Sequence, residues 1–146
     1  MMEHIEWQQG EFVISTDRAR LDIAAIHCYL SERSYWAQGR SRAAVERSIE
    51  HSLCFGIYYN NAQAGFARLL TDYCTVAYLA DVFVLEDYRG RGLGKWLMAC
   101  VLAHPALQAM PKWVLHTLDA HTLYSQYGFA APAHPEWIME YRPQSS

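Results

Sequence analysis

The chain has 146 residues, 52% hydrophobic and 18% charged, which suits one folded domain with a real core and excludes a disordered polypeptide. Its formal charge is −3, from 12 basic and 15 acidic side chains, so it lacks the basic excess of a nucleic-acid binder and none is expected as a partner. No apolar run reaches the length of about 18 residues that a membrane span needs, so no membrane partner is expected either.

The N-terminal stretch MMEHIEWQQGE is too polar for a secretory signal. Cys28, Cys54, Cys74 and Cys100 lie far apart in apolar surroundings, with no C-x-x-C spacing. They read as free, buried thiols in a reducing compartment, which points to the cytoplasm.

Taken in order, Glu11 to Ser15 is a strand, with room for a short one before it around Ile5 to Trp7. Thr16 and Asp17 offer caps for a helix whose stripe runs through Leu21, Ala24, Ala25 and Cys28, widened by Ile23, Ile26 and Leu30, ending near Glu32. Ser41 caps a second helix that turns Val45 and Ile49 inward. Leu53 to Tyr59 and Gln63 to Leu70 are two strands joined at Asn60-Asn61, residues that tolerate positive φ. Tyr78 to Val84 is an apolar strand, and Leu93, Trp96, Leu97, Cys100 and Val101 form one stripe of the helix that follows, which His104 and Pro105 end. Lys112 to Thr117 is a strand, Asp119 caps a helix running to Tyr127, and Gly128 closes it in a left-handed conformation. Trp137 to Tyr141 is a last strand. The order β-α-α-β-β-β-α-β-α-β predicts an α/β domain spanning residues 1–146, with one mixed sheet and helices on both faces.

The informative stretch is the loop between the Tyr78–Val84 strand and the next helix. A helix N-terminus carries unpaired N–H groups and the positive end of the helix dipole, so it favours an anion. Gly90, Gly92 and Gly94 allow close backbone approach, and Arg89 and Arg91 add positive charge. A phosphate or pyrophosphate fits. The dinucleotide spacing G-x-G-x-x-G fails because Lys95 stands where the third glycine belongs. The triphosphate spacing G-x-x-x-x-G-K-[ST] fails because Arg89 stands five before Gly94 and Trp96 follows Lys95.

What remains is Arg89-Gly90-Arg91-Gly92-Leu93-Gly94, an R-x-x-G-x-G pattern at a strand-to-helix turn. It resembles the acyl-CoA pyrophosphate loop of the GNAT superfamily of N-acetyltransferases, and the element order resembles that fold over nearly the whole chain. Leu123-Tyr124-Ser125-Gln126-Tyr127-Gly128-Phe129 resembles the family's L-Y-x-x-x-G-F motif. The resemblance implies acetyl-CoA as co-substrate, bound by Arg89, Gly90, Arg91, Gly92, Leu93, Gly94 and Lys95, with Val82, Phe83 and Val84 holding the pantetheine arm. It implies a small-molecule or peptide amine as acceptor. It also puts on Tyr124 the role of general acid toward the leaving thiolate; the alternative is a tyrosine that only packs.

Asp81 is a candidate base for the attacking amine, since strict alternation puts it with Leu79 and Phe83 on the buried face; it reads equally as a structural carboxylate. His116 and His121 are alternative bases, and their spacing across a turn does not suit a closed zinc site, so no metal is expected. Arg33, Tyr35, Trp36, Asp72 and Tyr73 lie in loops that the resemblance places beside the acceptor. A non-catalytic acyl-CoA sensor would use the same loop, and a homodimer would be ordinary.

Overall fold

The computed structural model describes residues 3–143, which divide into two compact units, one ending at His116 and one starting at Thr117. The first holds a six-stranded sheet whose spatial order follows the chain: β1 (Glu6–Gln9), β2 (Phe12–Ser15), β3 (Leu53–Tyr59), β4 (Ala62–Thr71), β5 (Ala77–Val84) and β6 (Trp113–Leu115). Neighbours are antiparallel except β5 and β6, which are parallel. Asn60 and Asn61 turn β3 into β4 with φ of 48° and 67°, the left-handed conformations that a tight hairpin requires. Among the described residues no helix is long and apolar enough to cross a membrane.

Helices cover both faces of this sheet. α1 (Ile23–Cys28) and α2 (Arg42–Glu50) pack Ile26, Tyr29, Leu30, Val45 and Ile49 onto Cys54, Phe66 and Phe83. Phe55, next to Cys54 on β3 and therefore on the opposite face, meets the ring of His104 at the end of α3 (Leu93–Ala103). α2 begins as expected, with Ser41 Oγ accepting from Ala44 N at 3.1 Å.

α1 departs from the expected phase. Asp17 caps only a 3-10 turn at Arg18–Arg20, and Asp22 caps α1 by accepting from Ala25 N. A π-type turn at Tyr29–Arg33 then widens the helix. Both changes centre the buried stripe on Ile26 and Leu30, which the widened stripe included, and on Tyr29, and turn Ala24 and Cys28 away from the core.

The cysteines differ from expectation too. Cys54 and Cys100 are buried, but Cys28 is half-buried and Cys74 is exposed. Cys74 lies in the β4–β5 turn, where the Asp72 carboxylate gathers the N–H groups of Cys74 and Thr75 and holds the backbone at the surface.

Two packing details make predictions. On β4, a Cβ at Gly65 would come within 2.8 Å of the Phe83 carbonyl oxygen and of Ile57 Cδ1. A backbone atom cannot step aside, so Gly65→Ala is expected to destabilise the fold by roughly 1–3 kcal/mol in urea denaturation. His104 is 1% exposed; its Nδ1 accepts from Ala106 N at 3.1 Å, and its Nε2 has no hydrogen-bond partner among the described residues. Burial lowers its pKa below the ordinary value. A lowered histidine pKa means that the unfolded chain binds the proton more readily. Stability is therefore expected to fall as pH drops from the ordinary histidine value of about 6.5 toward the lowered one, and His104→Gln should flatten that slope. Melting curves between neutral pH and mild acid test this.

The second unit is short. α4 (His121–Ser125) is followed by Gly128 at φ +94°. Asp119 is not its cap: the capping position is Ala120, whose N–H goes to Thr117 Oγ1 at 3.0 Å. The last predicted strand is also absent among the described residues. Pro135–Trp137 is a 3-10 turn, and Ile138, Met139 and Tyr141 are exposed without a strand partner. Their β propensity is real, but a strand is stable only in a ladder.

Candidate functional site

β5, the loop after it and α3 form the core of the site. Residues Ala77 to Leu79 of β5 pair with Trp113 to Leu115 of β6, and there the ladder stops. β5 runs on to Val84, so Val82, Phe83 and Val84 lie beyond the reach of β6. Their other edge is secured: Phe83 and Val84 pair with Phe66 and Gly65 of β4. Phe83 is buried and stacks on Tyr29 with 4.1 Å between ring centroids. A firmly backed strand thus extends past its parallel neighbour, an arrangement in which an extended ligand can pair with backbone.

The break coincides with a β-bulge. Ala80 pairs with Arg68 and Phe83 with Phe66, so Asp81 and Val82 together oppose Ala67. Asp81 sits at the bulge with φ +52°. The extra residue reverses the side-chain alternation. Leu79 pairs with Leu69 and Phe83 with Phe66, three residues apart on β4, so Leu79 and Phe83 face opposite sides. Asp81 therefore does not share a face with both, as strict alternation suggested. It turns to the side of Arg68 and Phe66.

There both carboxylate oxygens are occupied. Trp36 Nε1 donates to Oδ1 at 2.7 Å; Arg40 Nη1 and Arg68 Nε each donate to Oδ2 at 2.8 Å. Arg68 Nη1 donates in turn to Ser52 Oγ at 3.1 Å. Arg68 and Arg40 are the residues that sequence reasoning missed; Trp36 was expected beside the acceptor, but not as a partner of Asp81. The signal was an arginine amid the apolar run of β4, one strand away from an aspartate in the apolar run of β5: two buried charges of opposite sign demand each other.

After β5, a 3-10 turn at Glu86–Tyr88 leads into the glycine loop. Arg89 ties this loop down, donating from Nε to the Val84 carbonyl at 2.9 Å and from Nη2 to the Tyr29 hydroxyl at 2.8 Å. Arg91 lies over the Tyr88 ring. Gly90 and Gly92 have φ of +80° and +77°, and nothing stands within 4 Å of a Cβ built on either. Gly92 occupies the N-cap of α3, and the first helical bond runs from Trp96 N to Gly92 O. Leu93 is buried, so only its backbone faces the helix end; Lys95 is exposed. An open glycine surface over a helix N-terminus, flanked by cations, fits a phosphate-bearing ligand.

His116 follows β6 and hydrogen-bonds through Nδ1 with the Tyr78 hydroxyl. Glu86 pairs with Arg33 at the surface at 2.7 Å, and its pKa lies below the ordinary value, chiefly through a hydrogen bond from its own backbone N–H and then through Arg33. Burial pushes the Cys54 thiol up to about 12 and the Cys100 thiol to about 11, and a hydrogen bond to Glu32 raises Cys28. None of these three is a thiolate nucleophile at neutral pH. In the second unit Tyr124 is buried on α4, with Phe129 edge-on at 5.9 Å and the Phe129 N–H donated to the Tyr124 carbonyl. Residues 81–95 are thus brought together in the first unit, and Tyr124 stands in the second.

By comparison with known proteins, a chain with this sheet, extended strand and glycine loop is an acyltransferase. The chain belongs to the GNAT family of acetyltransferases: the pattern of the acetyltransferase (GNAT) domain matches residues 50–131. A Gibberella zeae protein designated an acetyltransferase is 32% identical over 142 residues, covering 82% of this chain and 79% of its own. The crystal structure of a Xanthomonas campestris pv. campestris protein assigned to the GNAT family superposes with a TM-score of 0.88 at 49% identity, over 90% of this chain and 92% of that one. A GNAT acetyltransferase from Elizabethkingia anophelis with acetyl-CoA bound shares the fold alone, at TM-score 0.62 and 21% identity over 84% of this chain and 78% of that one.

Proposed function

We propose that the protein is a cytoplasmic N-acetyltransferase that moves the acetyl group of acetyl-CoA to a primary amine by direct attack on the thioester. The observation that carries this reading is the glycine loop at the N-terminus of α3, directly after a strand that extends past β6. Residues 90–95 bind the pyrophosphate through backbone N–H groups and the helix dipole. Arg89 holds the loop against β5 through its bonds to Val84 and Tyr29. Val82 to Val84 hold the pantetheine arm. The family match to residues 50–131 crosses the boundary at His116, which favours the two units working as one domain.

The chemistry needs three events. The neutral amine nitrogen attacks the thioester carbon, forming the C–N bond; the C–S bond breaks; and the nitrogen loses one proton while the departing thiolate takes one. The raised thiol pKa values of Cys28, Cys54 and Cys100 favour transfer without a cysteine-bound intermediate. Tyr124 supplies the proton to the thiolate. Three donors, two of them guanidinium groups, hold the Asp81 carboxylate in its charged form, and its side chain is 2% exposed; this favours an anchoring role over the role of base.

The test is thiol release from acetyl-CoA across a panel of primary amines. Binding of acetyl-CoA without release for any amine would favour the sensor instead. Tyr124→Phe is expected to lower kcat about 100-fold while the acetyl-CoA Kd changes by less than about twofold. An unchanged kcat would remove the general-acid role.

A further inference from the structure

The Asp81 cluster joins parts of the first unit that are far apart in sequence. Its side chain is 2% exposed, and those of Arg68 and Arg40 are 11% and 26% exposed. Arg68 comes from β4, whereas Trp36 and Arg40 come from the connection between the π-type turn and α2. Besides the bonds to Asp81, that connection is tied by Ser34 to the carbonyls of Tyr29 and Leu30, by Ala37 N to Ser34 Oγ, Gly39 N to Ser31 O and Arg40 N to Ala37 O, and by His27 Nε2 to the Arg40 carbonyl. Trp36 is 38% exposed and meets Tyr35, itself 50% exposed, edge-on. Without the aspartate, two guanidinium groups would face each other with no counter-charge.

The backbone at the same residue is unusual. A left-handed aspartate in a strand is strained, and such strain persists only where the surroundings hold it. The charge-assisted bonds to Arg40 and Arg68 do so. They pin the bulge two residues past Leu79, the last residue of β5 that pairs with β6.

We infer that Asp81 is a positioning residue: its carboxylate locks the bulge that exposes Val82–Val84 and fastens residues 34–40, so one group sets both the donor strand and the aromatic wall of Tyr35 and Trp36. The inference rests on the acetyl-CoA reading of this strand for its effect on catalysis, but not for its effect on the connection. The reaction's base then lies elsewhere.

Asp81→Asn separates the two roles, because it keeps the shape and removes the charge. Hydrogen exchange of the peptide covering residues 34–40 should become about tenfold faster. The emission component of Trp36, identified by subtracting Trp36→Phe variants, should shift as its N–H bond to Oδ1 weakens. The acetyl-CoA Kd should rise about tenfold. With any amine that the wild type acetylates, the acceptor KM should rise while the pH profile keeps its shape. Unchanged exchange over residues 34–40 overturns the inference. So does a loss of the acidic pH limb with exchange unaltered, which is the signature of a base. If Asp81→Asn does not fold, Trp36→Phe and Arg40→Gln serve, since both leave the Arg68–Asp81 pair intact. Each should speed exchange several-fold, and unchanged exchange in both overturns the inference. A wild type that fails to bind acetyl-CoA would sink the proposed function, and the exchange measurements would still decide the role of Asp81.

Discussion

Gly92→Asp is expected to raise the acetyl-CoA Kd about 100-fold or more while leaving the protein folded. Gly92 has φ +77° at the N-cap of α3, with nothing within 4 Å of where a Cβ would stand. Aspartate tolerates left-handed backbone better than most residues and is a favoured N-cap, so the fold absorbs the change. The ligand does not. The new carboxylate occupies the space above the loop and repels phosphate oxygens where the helix dipole would have attracted them. Gly10→Asp is the control: it has φ +58° with equally open space, in the β1–β2 turn. It should show a similar strain cost and unchanged affinity. Calorimetric titration of acetyl-CoA into both variants gives the comparison, and an affinity for Gly92→Asp within about twofold of wild type would show that the loop does not hold the pyrophosphate.

The second large effect is on stability. Asp81→Ala should cost about 3–5 kcal/mol, because it leaves the Arg68 guanidinium charged in a site where its side chain is 11% exposed. Arg40, at 26%, can turn toward water more readily, and Trp36 loses a partner for its N–H. Adding Arg68→Met to Asp81→Ala should recover part of the loss, since a matched apolar pair avoids the stranded charge. Urea denaturation of the single and double variants measures this. A cost below about 1 kcal/mol for Asp81→Ala would mean that the buried pair is not what holds the bulge.

The contrast between these two sites explains how far the sequence could be read. The glycine loop is local: its spacing, the apolar strand before it and the helical stripe after it all lie within a short stretch, and each element formed where periodicity put it. The Asn60-Asn61 hairpin and the Ser41 cap were legible for the same reason. The Asp81 cluster is not local. Its partners come from residues 36, 40 and 68, and the bulge that aims it carries no glycine or proline to mark it. Strict alternation put Leu79, Asp81 and Phe83 on one face; Asp81 is buried on the side of Phe83, but Leu79 faces the other way, because one extra residue shifts the phase within the strand. The strand expected at Trp137 to Tyr141 failed for the opposite reason, since local propensity was present and a pairing partner was not. Asp119 was the nearest good cap by residue type, yet the hydroxyl of Thr117 reached the Ala120 N–H instead.

The strand order carries a kinetic consequence. β2 to β5 each lie beside the strand that precedes them and run antiparallel to it. Such a meander can assemble neighbour by neighbour, although α1 and α2 must be looped out between β2 and β3. β6 alone needs a parallel crossover through α3, and it gains only three paired residues for that closure. It should be the last strand to dock during refolding and the first to fray in the native state. The donor strand is then complete before its boundary with β6 is, and competence to bind acetyl-CoA should appear in the final phase of refolding, after the sheet's own spectroscopic signal has developed.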